Sequence, residues 1–577
     1  MPNIRLVLWG LFATILFLNY ETWMHDYEPA TTAVSQSATG AAPGGAPANT
    51  LGESVPEASA PAVQPSTTGA PPATAPTASA AAIPSSAPGG APETDQTASA
   101  PIHVTTDVLD IAINLKGGEL DNADLAQYPL RKDTPNIKVK LLSDAPATLY
   151  LLQSGLTGGA GEAAPTHLTM WKSDQKSFAL APAANELRVP MTWTDGQGLE
   201  VTKTFVFARG QYAIGLDYDV KNTGAAPRKL ASYAQILRQW EHASRSYFNV
   251  ESYSFKGPAV YDGTKFKDLN VENEADSKYS GLSTNGWLAS LQHQFVTAIV
   301  PAAGQPYQYR LQVLNKEYLL SATGPQVEVP AGGSARFHEE LFVGPKLQSQ
   351  LSALGRNLEL TVDFGYLKVL AEPLFAGLSW IHKIIGNWGF SIILVTALIK
   401  LLFYPLSQAS GRSMAKMRAV GPRMKQIQET FKDDREKLGR AMMELYKKEK
   451  INPLAGCLPM VVQIPVFISF YRVLLNCVEM RQAPFLLWIN DLSSRDPYFV
   501  LPLLMGSAMF AQFKLNPAPP DPMQAKIMQF MPLIMTGMMA WFPSGLVLYW
   551  LTNTVLSIAQ QYRVNQVVEK EAAKQHS

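Results

Sequence analysis

Cysteine is nearly absent from this chain: Cys457 and Cys477 are the only two in 577 residues. Both fall in one apolar stretch. If that stretch is helical they stand roughly 30 Å apart at about 1.5 Å per residue, too far for a disulfide. Lysine and arginine are missing altogether between Arg5 and Lys116. Large apolar side chains are almost missing from residues 29–101, a run of Ala, Pro, Ser, Thr and Gly. Such a segment buries too little surface to offset its ordering entropy and reads as a disordered linker, a tether with no site on it. Catalytic signatures are missing too. There is no G-x-x-x-x-G-K-[ST], no H-E-x-x-H and no G-x-S-x-G, which leaves no motif for nucleotide, zinc-peptidase or serine-hydrolase chemistry. The eight histidines are scattered, so no metal and no cofactor is expected.

What is present divides into zones. Residues 1–28 carry a basic start, Met1-Pro-Asn-Ile-Arg5, and then an apolar run reaching Trp23 and Met24. No small-x-small cleavage site follows. The stretch reads as an uncleaved first span over about residues 4–24, with a cleaved signal peptide as the alternative. Residues 102–345 alternate in VTKTFVF (201–207) and YAIGLDYDV (212–220), with turn signals at Asp195-Gly196, Arg209-Gly210 and Asn222-Thr223-Gly224. That pattern predicts a β-rich domain of hairpins. Residues 346–386 space Leu367, Leu370, Leu374, Leu378, Ile381 and Ile385 by three and four, which predicts an amphipathic interfacial helix. Pro373 is expected to kink or break it.

Residues 387–577 hold apolar runs at 388–404, 454–478, 498–513, 527–542 and 546–560. With the first run they predict six spans. The segment 407–450 between two of them has twelve Lys/Arg against six Asp/Glu. By the positive-inside rule it is cytoplasmic. Both termini then lie in the cytoplasm and the β-rich domain lies outside.

Inside the run SIILVTALIKLLFYPLSQ (391–408) stands Lys400. An ionised side chain in hydrocarbon costs several kcal/mol, roughly 3 at the centre on insertion scales. Two readings are open. Lys400 snorkels to the nearer interface, or it faces a water-filled cavity. Thr396, one turn away, supports the second reading, as do Gln463, Ser469, Thr552, Asn553 and Ser557 in other spans. Arg472, near the outer end of its span, is expected to snorkel. In 407–450, Met417, Val420, Met424, Ile427 and Phe431 share one helical face, and Leu438, Met442 and Leu445 another. They pack as a helical hairpin, or dock apolar partners, or both. Fifteen of the nineteen methionines lie after residue 400.

The runs NPLAGCLPMVVQIPVFISFYRVLL (452–475), VEMRQAPFLLWINDLSSRDPYFVLPLLMG (478–506) and FPSGLVLYWLTN (542–553) closely resemble the YidC/Oxa/Alb membrane protein insertases. VTTDVLDIAINLKGGEL (104–120) resembles the long form found in Gram-negative bacteria. The resemblance implies an α-helical polytopic inner-membrane protein. A five-helix insertase core would enclose a hydrophilic groove open to cytoplasm and lipid, and a periplasmic β-sandwich related to sugar-binding folds would sit outside. It puts Lys400 where the family normally has arginine, and Trp550 where many relatives have tyrosine. The clients implied are nascent membrane proteins, sliding out along Ile464, Phe467, Met528, Met531, Met535 and Trp550. The Sec translocon, the ribosome, a targeting receptor and the lipid bilayer are the other partners implied. No enzymatic activity and no small-molecule substrate are expected. A solute transporter would be expected to show repeated halves or paired broken helices, and the five core runs show no convincing repeat. An envelope enzyme would need the β domain's Trp171, Trp193 and Trp240 for polysaccharide, whereas tryptophans are more commonly core.

Overall fold

The computed structural model describes residues 50–57, 100–159, 162–240, 254–431, 434–449, 458–515 and 522–576. The expected first span, most of the 29–101 linker and Cys457 lie outside the described residues. Residues 50–57 correct the linker reading. Leu51–Glu53 form a short 3-10 helix with Leu51 buried against Leu151, Leu237 and Leu319. One leucine was enough to find an apolar site, which a composition average hides.

From Ile102 to Pro345 the described residues form an 11-stranded and an 8-stranded sheet, largely antiparallel. Strand Leu199–Ala208 returns through the turn at Arg209-Gly210 into Ala213–Asn222, pairing Val201 with Val220 and Phe207 with Ile214. Alternation decides which side chains go inward. Leu199, Val201, Phe205 and Phe207 join a core with Leu152, Leu156 and Ile236 of the other sheet. Lys203 falls on the same inward phase. Its Nζ donates to the carbonyls of Gly117, Gly118 and Ser154 at 3.1, 2.7 and 3.1 Å. Burial pushes its pKa down to about 7. The two inner faces therefore make a β-sandwich with one caged amine in it.

Past the sandwich, residues 346–386 do not form one helix. A short helix Gln348–Leu354 and two 3-10 turns precede α1, Lys368–Ile385. Pro373 does not end α1. It removes a single backbone bond in the second turn, while Ala371, Leu374, Phe375, Leu378 and Ile381 all pack inward. Leu370 and Ile385, assigned to that stripe by spacing, are exposed instead.

Eight further helices follow: α2 (Trp388–Leu402), α3 (Tyr404–Ala419), α4 (Gly421–Thr430), α5 (Arg435–Lys448), α6 (Leu458–Asn476), α7 (Val500–Leu515), α8 (Pro522–Met539) and α9 (Ser544–His576). Asn387 caps α2 through Phe390 N. Gly389 meets the Phe485 ring so closely that a Cβ would lie 2.0 Å from it. Among the described residues no single helix is long and apolar enough to cross a membrane. The pair Trp388–Leu402 and Tyr404–Ser413, bent by 63°, passes that test together. Pro405 sits just inside α3, where its missing N–H costs nothing.

The predicted hairpin is also more broken than its stripe suggested. Its first arm divides at Val420 between α3 and α4. Val420 and Met424 are buried with Met417, Met442, Leu445 and Tyr446 around them. Phe431 lies outside that cluster, because α4 ends at Thr430 and the chain turns there. Asp434 caps α5 through the Glu436 and Lys437 amides.

The sandwich meets the helical part through a shared apolar cluster and a polar seam. At the tip of hairpin 119–142, the carbonyls of Pro129 and Leu130 accept from Gln482 Nε2 and Arg481 Nη2, and Lys132 Nζ reaches the Asn490 carbonyl at 2.6 Å. Arg472 pairs with the exposed Asp363 at 3.3 Å. Glu479 accepts from Gln348 N at 3.2 Å and its second oxygen is buried without a partner.

Burial raises the Glu479 pKa from its ordinary 4.5 to about 7. A carboxyl shifted upward holds its proton more tightly when folded, so this group's contribution to stability declines as pH rises from about 4.5 through about 7. Each unit of such a shift corresponds to about 1.4 kcal/mol. Glu479→Gln keeps an acceptor for Gln348 and never ionises. Its thermal midpoint should match the native protein at pH 5 and exceed it at pH 8. An equal midpoint difference at both pH values would show that Glu479 does not titrate in this range.

Candidate functional site

The site begins with the end of α2. Ile392, Thr396 and Lys400 follow one another at four-residue spacing, so all three lie on one side of the helix. That is the packed side: Ile392, Val395 and Thr396 are buried, while Leu394, Leu398 and Leu401 point outward. α2 then stops at Leu402, with the Phe403 N–H turned back to Ile399 O at 3.0 Å. Lys400 thus occupies a last helical turn, where free carbonyls and the helix dipole favour a cation.

α9 supplies the facing wall. Tyr549, Asn553 and Ser557 recur at intervals of four along it. Lys400 Nζ donates to Ser557 Oγ at 2.7 Å, and Ser557 Oγ donates on to the Asn553 carbonyl at 2.7 Å. From α6, Gln463 Nε2 donates to the Tyr549 hydroxyl at 3.1 Å. Asn553 Oδ1 is buried with no hydrogen-bond partner. Lys400, Gln463, Tyr549 and Asn553 line a cavity of about 30 Å³ together with Thr396, Ile399, Phe403, Leu406, Ser407, Val462 and Val466, with Ser557 behind the amine and outside the lining. The volume suffices for a water or two, and the walls offer polar partners.

Aromatic packing fixes the register of α9 against α6. Phe470 stacks on Tyr549 at 4.4 Å between centroids, and Trp550 meets Phe467 edge-on at 4.8 Å. Shifting α9 by one residue would swing the polar stripe by about 100° and break both contacts.

Of the residues expected from sequence, Lys400, Thr396, Gln463, Asn553 and Ser557 come together here. Thr396 gives its hydroxyl hydrogen to the Ile392 carbonyl of its own helix. Ser469 and Thr552 do not line the cavity. Ser469 is buried and bonds back to the Pro465 carbonyl, and Thr552 stands a quarter turn from Asn553. Tyr549 was missed, although its spacing of four from Asn553 and eight from Ser557 marks the same face. Ser407 was missed because it lies beyond the bend.

On the outer faces, Ile464 is 51% exposed and Met531 40%, with Val461, Ile468, Phe530, Ile534 and Met538 exposed beside them. Phe467, Met535 and Trp550 are half-buried. Met528 lies on α8, but its side chain is outside the described residues.

Two family models match the chain: the YidC periplasmic domain over residues 101–376 and the 60Kd inner membrane protein over residues 380–571. The membrane protein insertase YidC of Thioalkalivibrio sulfidiphilus is 43% identical over 593 residues, covering 100% of both chains. That of Nitrosococcus oceani is 41% identical over 576 residues, covering 99% of this chain and 100% of its own. A solved structure of an active YidC insertase with its first transmembrane domain resolved covers 80% of this chain and 94% of its own. It aligns at 16% identity with a TM-score of 0.36. By the near-complete match to these relatives, this chain belongs to the YidC family of membrane protein insertases.

Proposed function

We propose that this protein inserts nascent membrane proteins into the bacterial inner membrane by way of the cavity around Lys400. The observation that carries the reading is an amine held inside a helical bundle, bonded to Ser557 and facing an unpartnered amide oxygen. A cation so placed has a use only if something polar or anionic comes to it. In this reading acidic residues in a client's tail are that visitor. The polar cavity shortens the apolar distance the tail must cross. The client's own apolar helix then leaves sideways over Ile464, Met531 and the exposed side chains beside them. Burial of that helix in lipid drives the step at about 25 cal/mol per Å² of apolar surface. The membrane potential adds roughly 2.3 kcal/mol per charge per 100 mV for an acidic tail moved outward.

The proposed topology has six spans, both termini in the cytoplasm and the β-sandwich in the periplasm. The twelve basic residues in 407–450 support it. The α4–α5 hairpin would then stand in the cytoplasm, where the ribosome and a targeting receptor deliver clients, and the Sec translocon would hand over others within the membrane. Met443, exposed on α5, belongs to the surface that such a partner would meet.

Reconstituted liposomes test the reading, with protease protection of a small single-span client that carries an acidic tail. Native protein should insert it. Lys400→Ala should lower the rate at least about tenfold, the factor that corresponds to about 1.4 kcal/mol and to a charge-assisted hydrogen bond. Lys400→Arg should insert within about threefold of native, because charge is kept even though the donor geometry changes. Full activity of Lys400→Ala would remove the cation from the mechanism.

Ser557→Ala gives a graded version of the same test. It removes one neutral partner of the amine, worth about 1 kcal/mol, and should slow insertion of the acidic-tailed client by about two- to fivefold. A client with a neutral tail should be unaffected by Ser557→Ala. Equal slowing of both clients would mean that Ser557 supports the helix packing alone.

A further inference from the structure

The outer face of the 11-stranded sheet is covered where an antiparallel sheet would ordinarily meet water. Tyr150–Gly158 is buried at every residue but its last, and Arg228–Gln239 is buried from Leu230 to Leu237. Tyr150, Leu152 and Ile236 point into the sandwich. Leu151 and Leu237 point the other way. With Leu319 they form a second apolar cluster, separate from the main core, and Leu149 packs beside it. The remaining member of that cluster is Leu51, the only leucine between residues 29 and 101.

Leucine burial alone would be an unselective contact, but the backbone on either side of Leu51 is read as well. The Gly52 carbonyl accepts from His167 Nε2 at 3.0 Å, and the Ser54 carbonyl accepts from Gln235 Nε2 at 3.2 Å. A carbonyl can only accept, so Nε2 carries the proton. Nδ1 of the neutral ring then accepts from the Tyr233 hydroxyl at 2.7 Å, and that hydroxyl accepts from His167 N at 3.0 Å. Burial holds the His167 pKa down to about 4, so the ring stays neutral. Gln235 is oriented by a second bond, from Nε2 to Gln153 Oε1 at 2.8 Å. Position 52 is also shape-selected: a Cβ there would come within 3.2 Å of Leu237 Cδ2. The segment closes on itself through Ser54 N to Leu51 O at 3.1 Å.

We propose that the β domain carries a peptide-binding groove, built from Leu151, Leu237, Leu319, His167 and Gln235, whose resident ligand is the Thr50–Glu57 segment of this same chain. The ligand chemistry is a short turn with leucine followed by glycine and two outward carbonyls. Both partners belong to one chain, so a weak site can be filled: tethering raises the local concentration of the segment above that of a free peptide. The groove is independent of how clients are inserted, and its test does not use insertion.

Hydrogen exchange on the full-length protein in detergent reads the docking directly. Amides in 50–57 should exchange at least about tenfold more slowly than those in 60–75. Leu51→Asp and Gly52→Val should each abolish that protection, while peptides from strands 150–158 and 228–239 keep theirs. Exchange in 50–57 as fast as in 60–75 overturns the proposal. So does protection that survives both substitutions. A second measurement uses a fluorescent synthetic peptide of residues 48–59 and a full-length variant in which 50–57 is replaced by Gly-Ser repeats. The peptide should bind this variant at least about tenfold more tightly than it binds native protein, whose groove is occupied. No preference for the replaced variant overturns the proposal.

Discussion

An ammonium group inside a bundle of methylenes must be given something polar, because its hydration is lost and nothing apolar replaces it. Much of the helical part is arranged around that requirement at Lys400. α2 ends two residues past it, which exposes carbonyls, and the chain bends by 63° into α3 beside it. α9 brings Ser557 and Asn553 to the same point. α6 contributes Gln463 and the two phenylalanines that set the register of α9. The sandwich solves the same problem differently. Lys203 is saturated by three backbone carbonyls and lies about 5 to 6 Å from the centroids of three aromatic rings. One amine is fully satisfied and walled in. The other has one partner and a cavity. That contrast separates a structural lysine from one available to a visitor.

The sandwich and the helices share one apolar cluster, and polar contacts of the kind that are specific without being strong add to it. Main-chain carbonyls at the hairpin tip accept from side chains of the 481–495 loop, which in turn is stitched to the start of α9 through Ser544. The seam is therefore continuous with the wall of the Lys400 cavity. Both parts fall within the length matched to the relatives at 43% and 41% identity.

Periodicity made much of this legible in the sequence. Alternation in 201–207 marked a strand and Arg209-Gly210 its turn, whereas the inward position of Lys203 shows only in the structure. Spacing of four put Thr396 and Lys400 on one face, whereas Thr552, Asn553 and Ser557 were named only as polar residues of the last span. The same rule, applied one turn further, would have added Tyr549 and excluded Thr552. Other features were illegible for physical reasons. Pro373 is a helix breaker by propensity, yet the packing of five apolar side chains outweighs one lost bond. Leu51 is a single residue in a polar run, and its meaning depends on leucines a hundred or more positions away. The bend after Leu402 shows in the sequence only as a proline, which permits several outcomes.

The last helix has a mechanical consequence. α9 runs unbroken for 33 residues, about 50 Å at 1.5 Å per residue. Its first turns carry Tyr549, Asn553 and Ser557. Farther along, Val564 leans on α3 where Gly411 leaves no room for a side chain: a Cβ there would lie 2.8 Å from Val564 Cγ1. One continuous helix therefore carries both the polar stripe facing Lys400 and the close contact at Gly411, so the fit of α9 against α3 and its register against α2 are set together.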